Sequence, residues 1–217
     1  MLLELVQIGG AMLVVLDGRP AVGCTTIAKL ITHEGRGFSY VDVGVCKRAI
    51  ASLALEHGVK PLEAAAMLDH KSLYRGDLNS HRVNEILPEI CASAEVHRAL
   101  VDFIRLYTKR GKWVIAGHSW AHEFPEAEAK CFLEATPETR MWRRYRQHLA
   151  DGRPTSISLA TRDIALADER AKNHPFAPLR DDRLAYHCVV DTNRHKTPRQ
   201  TLHDLLRYEF PRRAILL

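Results

Sequence analysis

The chain has 217 residues, of which 46% are hydrophobic, and its formal net charge is +5. This length and composition predict one globular domain with a sizeable core. The positive charge is small and scattered, which suits a phosphate-bearing small ligand and argues against nucleic acid as a partner. No apolar run reaches the length of a membrane span, so no membrane partner is expected.

Strands and helices alternate along the chain. Five short apolar runs are typical of buried parallel strands, and they lie at residues 12–17, 38–43, 112–116, 129–133 and 187–191. Helical patterns lie between and after them, at residues 25–33, 45–57, 61–67, 82–92, 95–109, 137–149, 158–172 and 197–208. The alternation predicts an α/β fold with a five-stranded parallel sheet flanked by helices.

The cysteines and the N-terminal segment bear on the cellular compartment. Five cysteines are scattered without a CxxC pair, mostly among apolar neighbours, which predicts reduced thiols in a cytoplasmic protein. Residues 1–16 are apolar but contain Glu4, lack a basic start and run into the first strand, so we do not interpret them as a signal peptide. Either Met1 or Met12 could start the protein.

A glycine loop joins the first strand to the first helix. Residues 18–26 read GRPAVGCTT, which keeps both glycines and the Ser/Thr position of the phosphate-binding pattern G-x-x-x-x-G-K-[ST]. Glycines in that pattern let backbone N–H groups wrap around phosphate oxygens. Cys24 stands where the pattern has lysine, and Arg19, Lys29 and Lys47 are candidate replacements for the missing charge. A strand–turn–helix junction without a ligand is the alternative interpretation.

Further segments after the loop match segments of a known protein family and occur in the same order. They are residues 26–29, 41–44, 48–49, 53–55, 124–127, 130–133, 135–138, 143–145, 162–163, 177–179 and 190–192. Together with the loop they make residues 12–206 similar to bacterial cytidylate kinases. The resemblance implies a P-loop kinase fold in a single domain, residues 1–217. It assigns 12–43 and 112–140 to the core, about 44–110 to monophosphate-side helices, about 140–176 to a small lid, and 187–208 to the final strand and helix.

In that family, ATP donates its γ-phosphoryl group to cytidine monophosphate, so the resemblance implies ATP and Mg²⁺ as cofactors. The implied partner is a nucleotide or a related small phosphorylated substrate. The oligomeric state is left open between monomer and homodimer.

The resemblance also implies roles for individual residues. The positions expected to hold the ATP phosphates are Gly18, Gly23, Cys24, Thr25 and Thr26, with the Thr25 hydroxyl facing Mg²⁺. The expected catalytic arginines are Arg19, Arg48, Arg144 and Arg162, because guanidinium groups suit phosphate geometry. Arg140, Arg143, Arg144 and Arg162 are expected to belong to the lid or to flank it. The acceptor is expected to contact Asp42, Arg48, Arg98, His118, Ser119 and Asp163.

The chain departs from the family pattern at this site. The Asp-Gly-Arg-Asp run after the third strand is replaced here by the sequence AGHS at residues 116–119. Val43 replaces the serine of the second-strand motif, and His97 falls on an arginine of the monophosphate helix, with Arg98 beside it. Together with Cys24, these changes leave two hypotheses: a divergent kinase, or a catalytically impaired relative that binds a nucleotide or a phosphorylated metabolite.

Three other candidate chemistries are weaker. His118 and His122 end a strand, but the sequence offers no clear third metal ligand, so a substrate contact of His118 is favoured. A helix N-terminus could lower the pKa of the Cys24 thiol, although a small residue that fills the space of the lysine is the favoured interpretation. Ser119 lacks the G-x-S-x-G elbow of hydrolases.

Overall fold

The structure is a computed structural model that describes residues 11–34, 37–179, 183–193 and 196–207. Its strands are β1 Met12–Gly18, β2 Phe38–Asp42, β3 Lys112–Gly117, β4 Ala129–Glu134 and β5 Cys188–Asp191. They form one sheet in the order β2-β3-β1-β4-β5, and every neighbouring pair is parallel. The predicted five-stranded parallel sheet is confirmed, with β1 at its centre.

The helices follow the predicted pattern to within two residues at each end. They are α1 Cys24–Glu34, α2 Val43–His57, α3 Pro61–Ala66, α4 His81–Ala92, α5 Ala94–Tyr107, α6 Pro137–Ala150, α7 Ile157–Lys172 and α8 Pro198–Arg207. Short 3₁₀ turns lie at Lys71–Tyr74 and Arg183–Ala185. The predictions for residues 1–10, and for the last residue of the final helix at 208, lie outside the described residues.

Side-chain caps fix where several helices begin. The Asp42 carboxylate accepts the Val45 N–H at 3.1 Å, which starts α2 directly after β2. The Thr136 hydroxyl accepts the Thr139 N–H at 3.3 Å, and Pro137 occupies the first position of α6. Such caps satisfy N–H groups that have no partner inside the helix. The Asp42 cap therefore also fixes an acidic side chain at the carboxyl edge of the sheet.

The sheet separates two hydrophobic clusters. Val14 and Leu16 of β1 belong to one cluster with Ile27 of α1, whereas Val15 belongs to the other with Ile50 of α2. This alternation follows from the two-residue period of a strand that is buried on both faces. The carboxyl end of β1 is thereby held between the two helical layers. Within the described part of the chain, no helix is long and apolar enough to cross a membrane.

Candidate functional site

The loop after β1 has the backbone geometry of a phosphate cradle. A Cβ at Gly18 would collide with the Leu133 carbonyl oxygen and lie 2.7 Å from Val22 Cγ2, so only glycine fits there. Gly23 has a φ of +109° and Ala21 a φ of 63°, both in the left-handed region. Because α1 begins directly after this loop, its first N–H groups lack helical partners and can bind an anion.

Two arginines of α6 brace this loop from its carbonyl side. Arg143 donates to the Val22 carbonyl oxygen at 2.7 Å and to the Thr192 hydroxyl at 3.0 Å. Arg140 donates to both carboxylate oxygens of Asp168 on α7, at 2.7 and 2.8 Å, and to the loop at Pro20. The two guanidinium groups therefore have protein partners already, and they tie the expected lid helices α6 and α7 to the loop.

Cys24 is a buried thiol and not a reactive one. Its side chain is 8% exposed, and burial, followed by the charges of Asp17 and Asp42, raises its pKa well above the ordinary value. A thiol of this kind is not a thiolate nucleophile at neutral pH. This agrees with a small residue in the space of the lysine, next to two carboxylates.

Asp17 is a buried acid directly beneath the loop. Its Oδ2 accepts the Ala121 N–H at 2.7 Å and the Tyr186 hydroxyl at 3.1 Å, while Oδ1 has no hydrogen-bond partner among the described residues. Burial raises the pKa of Asp17 to about 6. Its hydrogen bonds fix residues 120–121, after β3, against the end of β1. We assigned Asp17 no role from the sequence, although an acid at the end of an apolar strand was the available signal.

Thr25 and Asp42 meet at the edge of the loop. The Thr25 hydroxyl donates to Asp42 Oδ2 at 2.6 Å, whereas Thr26 is exposed. The described residues contain no group of three or more His, Cys, Asp or Glu side chains placed to hold a metal ion. Mg²⁺ needs no such cage, because it usually binds one or two protein oxygens and otherwise phosphates and water. The Thr25–Asp42 pair therefore fits Mg²⁺.

Arg48 is a further cation in this region. It lies on α2, half-buried, and its buried Nε has no hydrogen-bond partner among the described residues. Its Nη1 lies 3.4 Å from the place that a Cβ would take on Gly44, so the glycine leaves room for the guanidinium. A buried guanidinium nitrogen without a partner is costly, which suggests a bound acceptor of hydrogen bonds.

The segment after β3 contributes one histidine to the edge of the loop. His118 Nδ1 donates to the Gly18 carbonyl oxygen, which fixes the ring tautomer. Burial of the ring lowers the pKa of His118, although the residue as a whole is exposed. Ser119 is buried instead, with a φ of 60°, and its hydroxyl donates to the Pro178 carbonyl oxygen at 2.8 Å. Ser119 thus supports the loop structure and is not placed to contact an acceptor.

Arg98 and its neighbour His97 point to different sides of α5. Arg98 is exposed on α5, whereas His97 is buried. Successive residues of a helix point about 100° apart, so only one of the two can face the cleft. The ring of His97 lies 5.6 Å from Trp120 and 6.0 Å from His174, measured between centroids. The sequence showed His97 only as a changed position, and His174 was missed because nothing local links it to His97.

The other residues expected at the lid, Arg144, Arg162 and Asp163, lie on α6 and α7. Asp163 pairs with His148 at 3.1 Å, and Arg144 donates to Gln147 at 3.0 Å. Burial lowers the pKa of Arg144. Arg162 is exposed. Within the described residues, none of Arg144, Arg162 and Asp163 forms a hydrogen bond or ion pair with the loop.

Comparison with known proteins places these features in a family. The family model described as cytidylate kinase matches residues 14–208. A cytidylate kinase of Rhodopseudomonas palustris is 34% identical over 178 residues, which cover 78% of this chain and 83% of the relative. One from Halalkalibacterium halodurans is 30% identical over 190 residues, which cover 78% of this chain and 85% of the relative.

Solved structures show the same fold at low identity. A shikimate kinase from Bacteroides thetaiotaomicron has a TM-score of 0.51 and 11% identity, covering 89% of this chain and 96% of that one. An uncharacterized protein from Eubacterium ventriosum has a TM-score of 0.58 and 13% identity, covering 91% and 97%. The kinase fold expected from the glycine loop is confirmed.

Proposed function

Because the chain belongs to the cytidylate kinase family, we propose that it transfers the γ-phosphoryl group of ATP to cytidine monophosphate or a related small phosphorylated acceptor. The observation that carries the proposal is Arg48, a half-buried guanidinium whose Nε has no hydrogen-bond partner among the described residues, on the helix that starts at the edge of the glycine loop. A buried cation of this kind is stabilised by a phosphate that binds it. In this proposal the loop is the donor site and Arg48 supplies the acceptor charge at the same edge of the sheet.

The donor phosphates are held by the backbone in this proposal. The N–H groups at the start of α1 and those of Ala21 and Gly23 bind phosphate oxygens, and the positive end of the helix dipole adds to the attraction. Gly18 and Gly23 keep that backbone in place, and Arg140 and Arg143 brace it from behind. Thr25 and Asp42 would hold Mg²⁺, which, when bound, neutralises charge on the transferring phosphates.

The acceptor phosphate is held by Arg48. A guanidinium can donate two parallel hydrogen bonds to phosphoryl oxygens, which orients the attacking oxygen toward the donor. Arg48 also screens the repulsion between the two anionic substrates. Transfer between phosphates needs positioning and charge neutralisation more than a general base. The donor site therefore lacks one positive charge at Cys24, where the family pattern has lysine. We propose that Arg19 on the loop partly replaces this charge.

The test is Mg²⁺-dependent formation of ADP and CDP from ATP and cytidine monophosphate. We expect turnover by the wild-type chain and a fall in kcat/KM of about 100-fold or more for Arg48→Ala, because a charge at the transferring phosphates is lost. Arg98→Ala is the matched control, since Arg98 is an exposed arginine on α5, and it should keep the wild-type rate.

Two results would contradict the proposal. Equal turnover by Arg48→Ala and Arg98→Ala would remove Arg48 from the acceptor site. Stabilisation of the fold by ATP without any turnover across mono- and diphosphate acceptors would instead identify a nucleotide-binding module, the second function predicted from the sequence.

A further inference from the structure

The segment that follows α7, residues 174–178 and here called the strap, is tied to two elements on the acceptor side of the cleft. The Ser119 hydroxyl, in the segment after β3, donates to the Pro178 carbonyl oxygen at 2.8 Å. Lys47 Nζ on α2 lies 3.1 Å from His174 Nε2. The strap therefore joins α2 to the segment after β3, and both of these elements carry residues expected to contact the acceptor.

Aromatic rings close the space between the strap and α5. The ring of His97 on α5 lies 5.7 Å from the ring of Phe176 and 6.0 Å from that of His174, measured between centroids. The cavity that Lys47, His97 and His174 help to line has no room for a water molecule. A ligand can therefore enter this part of the cleft only when the strap moves.

The strap keeps its own shape through local hydrogen bonds. His174 Nδ1 accepts the N–H groups of Phe176 at 3.3 Å and of Ala177 at 3.1 Å. The N–H of Leu179, directly after the strap, donates to the Ala171 carbonyl oxygen of α7 at 2.8 Å. These bonds lie within the strap or join it to α7. They can persist when the strap lifts, whereas its contacts with α2, α5 and the segment after β3 are lost.

The closed position of the strap leaves two polar groups poorly satisfied. Burial, followed by the charge of Lys47, lowers the pKa of His174 to about 4, so the ring is neutral near pH 7. Because Nδ1 accepts, the proton of the neutral ring is on Nε2, where it faces the N–H donors of the Lys47 ammonium. His97 Nδ1 is buried without a partner among the described residues. Unsatisfied polar groups cost free energy, which lowers the cost of lifting the strap.

We infer that the strap is an autoinhibitory element, which blocks the acceptor side of the cleft when no acceptor is bound and must lift before one enters. That the blocked site is the site of the acceptor rests on the proposed function. The apparent affinity for an acceptor is then reduced by the fraction of molecules in which the strap is lifted. Loosening the strap should therefore tighten binding, whereas loss of a residue that contacts the acceptor weakens it.

Hydrogen exchange without any ligand tests whether the strap is held by its contacts across the cleft. Phe176→Ala removes the ring that packs on His97, and it should raise the exchange rates of the amides in residues 174–179 by about fivefold or more. Phe103→Ala is the matched control, because it removes a half-buried ring of α5 that stacks on Tyr107, and it should leave these rates unchanged. Equal rates in the two variants would overturn the strap.

Calorimetric titration with cytidine monophosphate tests the block itself. Phe176→Ala should bind this nucleotide about fivefold or more tightly than the wild type, whereas Phe103→Ala should bind it as the wild type does. Unchanged or weaker binding by Phe176→Ala would overturn the inference, and so would the absence of binding in both variants. If Phe176→Ala does not fold, Ser119→Ala repeats both measurements, with Thr161→Ala, which removes an exposed hydroxyl of α7, as its control.

The two proposals fail in different ways. Tighter binding of cytidine monophosphate by Phe176→Ala without phosphoryl transfer from ATP would support the strap and contradict the proposed function. Phosphoryl transfer by the wild type, with no gain in affinity in Phe176→Ala, would support the proposed function and overturn the strap.

Discussion

The donor loop and the acceptor side of the cleft differ in what builds them. The loop depends on backbone features, the glycines at 18 and 23 and the start of α1, and these are present although the lysine is not. The proposed acceptor side depends on side chains, and there the resemblance sets His97 and His118 at positions where the family pattern has arginine. A cradle made of backbone can keep its shape when a charge is lost, whereas a site made of side chains changes its specificity with each substitution.

The largest expected effect comes from removing the carboxylate that pairs with Arg140 behind the loop. Asp168→Ala should lower the free energy of unfolding by about 3 kcal/mol, because it leaves the charge of Arg140 buried without its carboxylate. The Arg140 side chain is only 3% exposed. Arg199→Ala, which breaks the exposed pair with Glu34, should change the free energy of unfolding by about 0.5 kcal/mol or less. Urea unfolding measures both, and equal losses would show that the brace carries no special stability.

The acid beneath the loop should give an unusual pH dependence. The pKa of Asp17 is raised to about 6 in the folded chain against 3.8 as the ordinary value, so its contribution to stability is full below 3.8 and is lost as pH rises toward 6. Asp17→Asn removes the ionisable group and therefore this loss of stability. The free energy of unfolding of the variant relative to the wild type should therefore rise by about 2.4 kcal/mol from pH 4 to pH 7.

This difference isolates Asp17, because His174, with a pKa of about 4, acts in the opposite sense in both proteins and cancels. Asp102→Asn removes an exposed acid on α5 and is the matched control. A flat difference for Asp17→Asn would contradict the raised pKa of Asp17.

Adding a single methyl group should damage the cradle itself. Gly18→Ala places a Cβ against the Leu133 carbonyl oxygen and Val22, so we expect a loss of about 2 kcal/mol from overpacking. Stabilisation by ATP and Mg²⁺ in thermal unfolding should also disappear. Gly76→Ala is the control, since nothing lies within 4 Å of a Cβ there. Retained ATP stabilisation in Gly18→Ala would show that the loop does not hold the phosphates.

Local patterns predicted most of the fold, because strand runs, helix caps and turn glycines report on neighbouring residues. The Gly58 end and the Thr136–Pro137 start of helices were readable for that reason. At the candidate site the sequence indicated the loop and Arg48, and their roles stay predictions. The contact of Lys47 with His174 joins residues that are far apart in sequence, and whether His97 or Arg98 faces the cleft depends on the rotation of α5. Neither appears as a pattern along the chain.

The most direct test of the claim that the loop keeps its shape without the lysine charge is to restore the lysine. Cys24→Lys places an ammonium beside the loop, where the charges of Asp17 and Asp42 now act on a thiol. Calorimetric titration with ATP and Mg²⁺ should show an affinity about tenfold or more above the wild type, equal to about 1.4 kcal/mol. Cys24→Ser, which adds no charge, should bind ATP as the wild type does. Equal ATP affinities of Cys24→Lys and Cys24→Ser would contradict the account, because a cradle that lacks only its charge must bind more tightly once the charge is returned.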